Sequence, residues 1–145
     1  MLVPRIVIAV VGVITAVGAV LADLVIPGLA AQHAFNPAWP PHAKFHDAQY
    51  MVMTVLLGAS GLILIARRAP DMRGRIRCAA AILATPWLGM AAAILFPGTA
   101  AYDPEFAGQT RFVLGLHGQV FLAVVLLLAL GSATAATLRV PARRL

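Results

Sequence analysis

Four apolar stretches, each long enough to cross a bilayer as a helix, alternate with short polar connections along this 145-residue chain. They run from Arg5 to Ile26, Ala43 to Ala66, Arg77 to Phe96 and Phe112 to Leu138. Inside each stretch the apolar residues are continuous and do not alternate with polar ones, which selects helices over barrel strands. Lipid admits little else, because every backbone N–H and C=O must find its partner within the protein. The pattern therefore predicts an all-α integral membrane fold, a single domain over residues 1–145 built as a four-transmembrane-helix bundle.

Prolines punctuate these stretches. Pro27-Gly28 stops the first, and Pro40-Pro41 suits the start of the second, where a missing N–H costs nothing. Pro86 falls in mid-span of the third, frees a carbonyl there and predicts a bend against a neighbour or a cavity. The first stretch is longer than the apolar region of a signal peptide and is expected to remain as a span. "KFHDAQYMVMTVLLGASGLILIARR" and "LGLHGQVFLAVVLLLALGSATAATLR" each carry a histidine, a glutamine and an arginine end. This faint repeat predicts that His46 and His117 head parallel helices at one depth.

Charge sets the orientation. Arg5, Arg67, Arg68, Arg73, Arg75, Arg77, Arg139, Arg143 and Arg144 gather on one side, while Lys44 and Arg111 oppose Asp47, Asp103 and Glu105 on the other. The positive-inside rule then makes both termini cytoplasmic and places the protein as a multi-pass span of the cytoplasmic (inner) membrane. Composition agrees: 61% hydrophobic and 11% charged residues lie far from the roughly 25% charged typical of soluble domains. The net charge of +6 does not indicate nucleic-acid binding, because the cations sit at segment ends and not along a polar face. Cys78 stands alone, so there is no disulfide, and a packed, inert thiol is expected.

Chemistry concentrates on the non-cytoplasmic side, chiefly in "FNPAWPPHAKFHDAQY". His42, His46, Gln49 and Met53 share one helix face, and two histidines one turn apart are a common chelating geometry. His33 lies in the preceding loop and His117 opens the fourth span, so all four histidines fall on this side. Asp23 sits inside an apolar span, where an ionisable group is costly and normally faces a partner inside the bundle. The stripe Gly12, Ala16, Ala19 and Asp23 turns it inward, with His46 or His117 as the expected partner. Asp23, His46, His117 and Tyr102 are the catalytic candidates. His42 and His46 are the cofactor-binding pair, and His42, His46 and His117 the metal set. Trp39, Gln49, Tyr50, Met53, Trp87 and Gln119 are expected to line the substrate pocket. Tyr102, Asp103 and Glu105 cap it, with Arg111 pairing one of the acids. Phe35, Trp39 and Phe45 also suit an interfacial aromatic belt.

A small four-helix membrane protein with histidines and an acid at one end resembles the membrane isomerases. "WPPHAKFHDAQ" lies where the styrene oxide isomerase type holds haem through a histidine near the start of its second helix. The sterol-isomerase (emopamil-binding) type works instead by proton transfer, and Asp23 is the one acid comparable to its carboxylates. After the histidine the chain reads Asp47, Ala48, Gln49 and Tyr50, without the asparagine and glycine pattern of the epoxide isomerases. The resemblance implies an isomerase that forms homo-oligomers.

The expected function is thus a membrane-embedded enzyme acting on a small lipophilic substrate, an isomerase first and an oxidoreductase second. It would use a haem or divalent transition metal held by histidine, or a His/Asp acid–base pair and no cofactor. The alternative is a non-catalytic membrane subunit, binding protein or sensor with a structural histidine cluster.

Overall fold

A computed structural model describes residues 1–138. Arg139, Arg143 and Arg144, counted above among the flanking cations, lie outside the described residues. Helix α1 spans Leu2–Val20 and continues into a π-turn over Leu21–Val25; a short α2 follows over Pro27–Ala30. The long helices α3 (Pro41–Ala66), α4 (Met72–Ala93) and α5 (Gly118–Leu138) complete the chain. Among the described residues, four helices are long and apolar enough to cross a membrane: Leu2–Val25, α3, α4 and α5. They pack in a ring, α1 on α3, α3 on α4, α4 on α5 and α5 back on α1.

The boundaries depart most from the sequence reading at the starts of two helices. Helix α4 begins at Met72 rather than Arg77, because Asp71 caps it by accepting the Gly74 N–H at 2.9 Å. Arginine is a good helix former, so the run through Arg73, Arg75 and Arg77 ends the apolar pattern without ending the helix. Helix α5 begins at Gly118 rather than Phe112. Residues before it form a hairpin, β1 (Phe112–Val113) against β2 (Leu116–His117), turned through Leu114 and Gly115, both at positive φ. Such a two-residue turn favours glycine at its second position, the signal that Gly115 carried. His117 therefore sits on a strand while His46 lies inside α3, and the proposed repeat does not place them equivalently.

Close packing of α1 on α3 depends on small residues. A Cβ at Gly58 would stand 2.6 Å from the backbone nitrogen of Ala16. Ile8, Val11, Ile65, Ile76, Leu83, Leu126 and Leu130 fill the core beside this crossing. At the arginine-rich end, Arg5 donates from Nε to the Ile65 carbonyl at 2.8 Å and from a terminal nitrogen to the Ala66 carbonyl at 2.6 Å. These carbonyls have no partner within α3, so the cation closes the helix end. Arg77 similarly donates to Thr137 Oγ1 at 2.9 Å, tying α4 to α5. Trp87, expected in the pocket, is buried instead, and its indole N–H donates to Thr15 Oγ1 at 3.0 Å across to α1. Cys78, expected to be packed, is exposed, because the buried face of α4 passes through Ile76, Ala79 and Ala80.

Candidate functional site

The site grows from the end of α1. In a regular helix the Asp23 carbonyl would accept from residue 27, but Pro27 has no N–H. The chain widens into the π-turn, closed by the Ile26 N–H on the Leu21 carbonyl at 2.8 Å, and reverses. The orphaned Asp23 carbonyl then takes the N–H of Ala34 at 3.3 Å. One proline thus produces both the bulge that carries Asp23 and the return of the chain over it. π-Bulges of this kind are frequent at functional positions.

That return delivers His33. Asp23, only 6% exposed, has its Oδ1 3.4 Å from His33 Nδ1. The same nitrogen lies 2.9 Å from the Leu29 carbonyl. Both neighbours are acceptors, so Nδ1 carries the ring proton and shares it between them. In the neutral ring this leaves the lone pair on Nε2, the arrangement of a histidine base oriented by a carboxylate. Trp39 stands edge-on to the imidazole with ring centres 5.6 Å apart. Asn36, 1% exposed, locks the loop beneath: its Oδ1 accepts from Ala38 N at 2.8 Å and its amide reaches the Gln32 carbonyl at 3.4 Å.

His33 and Trp39 form one wall of a cavity of about 590 Å³ at this end of the bundle. Tyr102, Asp103 and Arg111 of the 94–111 connection, His117 of β2, and Gln119 at the start of α5 also line it. Tyr102 stacks on His117 with centres 6.1 Å apart and planes within 10°, and Phe112 meets both rings edge-on. Burial lowers the basicity of His117 below the ordinary histidine value, which keeps its ring neutral near pH 7. A second cavity, of about 420 Å³ and almost wholly apolar, lies between α3 and α4 and shares Met90 and Ala93 with the first. Tyr50, Met53 and Pro86 line it, and Met53 is half exposed, so it opens on the outer surface of the bundle.

Several expected site residues are not brought together. His42 and His46 pair with each other, Nε2 to Nε2 at 3.1 Å, on the exposed face of α3 and line neither cavity. Gln49, exposed beside them, accepts from His46 Nδ1 at 3.2 Å. Periodicity correctly groups His42, His46, Gln49 and Met53 on one face, but that face is the outer one. The inward stripe runs through Asp47, Met51, Thr54 and Gly58. The partner of Asp23 is accordingly His33 and not His46 or His117. Among the described residues no three His, Cys, Asp or Glu side chains stand close enough to hold a metal ion, so the set His42, His46 and His117 is not assembled. Nor does Arg111 form an ion pair with Asp103 or Glu105.

Three residues of the site escaped the sequence reading. His33 carried a signal: an acid in a span, then a helix-breaking proline, then a histidine within one short reversal. Asn36 precedes Pro37 and sits in a turn-forming run, but nothing local marks it as buried. Asp47 interacts electrostatically with both Asp23 and His33, and its Oδ2 is buried without a hydrogen-bond partner among the described residues.

Residues 7–141 match a family of unknown function, DUF6640. The chain belongs to that family. No curated protein and no solved structure matches it.

Proposed function

We propose that this protein is a membrane-embedded isomerase that moves a proton on a small lipophilic substrate, with Asp23 and His33 as its acid–base pair. The observation that carries the reading is the buried carboxylate of Asp23 beside the Nδ1–H of a histidine that lines a cavity. Asp23 orients the ring and balances the charge that His33 acquires when its Nε2 takes a proton. The apolar cavity between α3 and α4 supports entry of substrate from the bilayer, past Met53 and Met90. The arginine distribution supports cytoplasmic termini in the inner membrane, with the cavity at the non-cytoplasmic end.

Solvent-deuterium incorporation tests the pair. Protein reconstituted in nanodiscs with a lipid extract of its expression host in D₂O should label a lipophilic component, read by mass spectrometry. Asp23→Asn and His33→Ala should each lower the rate by about 10²- to 10⁴-fold, the usual worth of a positioned acid–base group. Undiminished labelling by both variants rejects the pair.

The His42–His46 pair favours a second reading, a non-catalytic binding or sensor subunit. Gln49 Oε1 fixes the proton of His46 on Nδ1, so His46 Nε2 accepts from His42 Nε2–H. The pair stands exposed at the head of α3, where a partner can reach it. A haem or divalent metal drawing on these two residues would have to break the same bond, and homo-oligomerisation would supply its other ligands. An optical spectrum with metal analysis, repeated on His42→Ala, decides: stoichiometric metal lost in the variant favours a cofactor there.

A further inference from the structure

The two histidines lining the 590 Å³ cavity are held in opposite tautomers. His33 Nδ1 faces two acceptors, the Leu29 carbonyl and Asp23, and so carries the proton, leaving Nε2 as a lone pair. His117 Nδ1 faces a donor, the backbone N–H of Gln119 at 3.4 Å, and so must accept, which puts its proton on Nε2. Among the residues lining one cavity there are thus a ring with a basic Nε2 and a ring with a neutral Nε2–H. A neutral imidazole donor suits an oxygen that gains negative charge as the reaction proceeds, because it stabilises the charge without giving up its own proton.

We infer, resting on the isomerase reading above, that the substrate is a lipophilic carbonyl compound whose oxygen accepts from His117 Nε2–H while His33 Nε2 works at the adjacent carbon. For a β,γ-unsaturated ketone the steps balance without a co-reactant. His33 Nε2 takes a proton from the α-carbon. The C–H electron pair forms a double bond to the carbonyl carbon, and the carbonyl π pair moves to oxygen, where His117 stabilises it. His33 then returns the same proton to the γ-carbon. The β,γ electron pair bonds that proton, the enolate double bond shifts to the α,β position, and the oxygen pair re-forms the carbonyl. Nothing is oxidised or reduced. The division of the cavities fits such a molecule: a polar chamber with both histidines takes the enone, and the apolar chamber past Met90 and Ala93 takes a hydrocarbon body.

The test uses the full chain in nanodiscs with a long-chain β,γ-unsaturated methyl ketone, and with the matching alkene that lacks the carbonyl. Conversion of the ketone to its conjugated isomer, followed by ultraviolet absorbance, is expected. His117→Ala should lower kcat by about 10²-fold with little change in KM, the usual cost of one oxyanion donor, whereas His117→Gln, which keeps an N–H, should recover much of it. Ring ¹⁵N spectra supply a readout independent of turnover: His33 should show the Nδ1–H form and His117 the Nε2–H form. Isomerisation of the alkene but not of the ketone overturns the carbonyl assignment and leaves the Asp23–His33 pair standing. Nδ1–H on His117 has the same consequence. Nε2–H on His33 overturns both. No conversion of the ketone by folded protein with the wild-type ring spectra also overturns the carbonyl assignment.

Discussion

The two ends of this bundle are made differently from similar helices. At the arginine-rich end the helices start and stop at short connections, side chains close the exposed carbonyls, and the core beside them is filled. At the histidine end α1 loosens into a π-turn, and long connections over residues 26–40 and 94–117 replace helix packing. There the buried polar groups Asp23 and Asn36 bond to loop residues, and two cavities meet at Met90 and Ala93. One end is closed by packing and side-chain bonds, and the other leaves two cavities. A polar group buried in such a setting is costly unless partnered, and Asp23 and Asn36 both have partners here.

Glycines give the widest contrast. Gly58→Leu should destabilise the protein by about 3 kcal/mol or more, since even a Cβ there meets the Ala16 backbone and α1 must move away. Gly89→Ala, at a position with open space around it, should be neutral or stabilising by about 0.5–1 kcal/mol, as expected for a glycine in mid-helix. Unfolding in increasing SDS, read by circular dichroism, measures both. Equal effects would erase the distinction between the ends.

Arg5→Ala should cost about 1–2 kcal/mol in the same assay by leaving the Ile65 and Ala66 carbonyls without this donor. Arg5→Lys, with one compact ammonium in place of a fork, should recover only part of it. No loss in Arg5→Ala would show that these bonds do not hold the helix end.

The smallest effect is that of pH on the aromatic stack. His117 is less basic in the fold than its ordinary value of 6.5, so the unfolded chain binds the proton more readily. Its contribution to stability is therefore present above pH 6.5 and is lost as pH falls through that value towards the lower folded one. Because the ring is only half-buried, a shallow slope is expected. His117→Phe should flatten the stability profile between pH 7 and 5; an unchanged slope would show that another group titrates there.

Much of the architecture was legible because the bilayer imposes strong rules. The spans of α1 and α3 follow from apolar run length, and Pro41 marks the start of α3. The hairpin ahead of α5 was less visible, since Phe112, Val113, Leu114 and Leu116 are as apolar as a helix would be. Site residues divided along another line. Asp23 stood out because a carboxylate in a span is improbable without a use. His42 and His46 stood out for their spacing, but spacing shows which residues share a face and not which face is inward. In a membrane protein the outer surface is as apolar as the core, so the usual contrast that orients a helix is weak.

The chain alone determined what run length and the backbone demand: four helices apolar enough to cross a bilayer, arginines at their ends, and a helix broken at Pro27 just after an acid. Each is a property of run length, charge or a missing N–H, and needs no distant contact. Tertiary structure decided the partners. Asp23 meets His33 because the reversal through α2 is held by Ala34 on the Asp23 carbonyl and by buried Asn36. His117 faces the same cavity because a hairpin, not a helix, precedes α5. Such meetings depend on loop hydrogen bonds and on the rotation of each helix about its own axis, and no periodicity in the sequence records either.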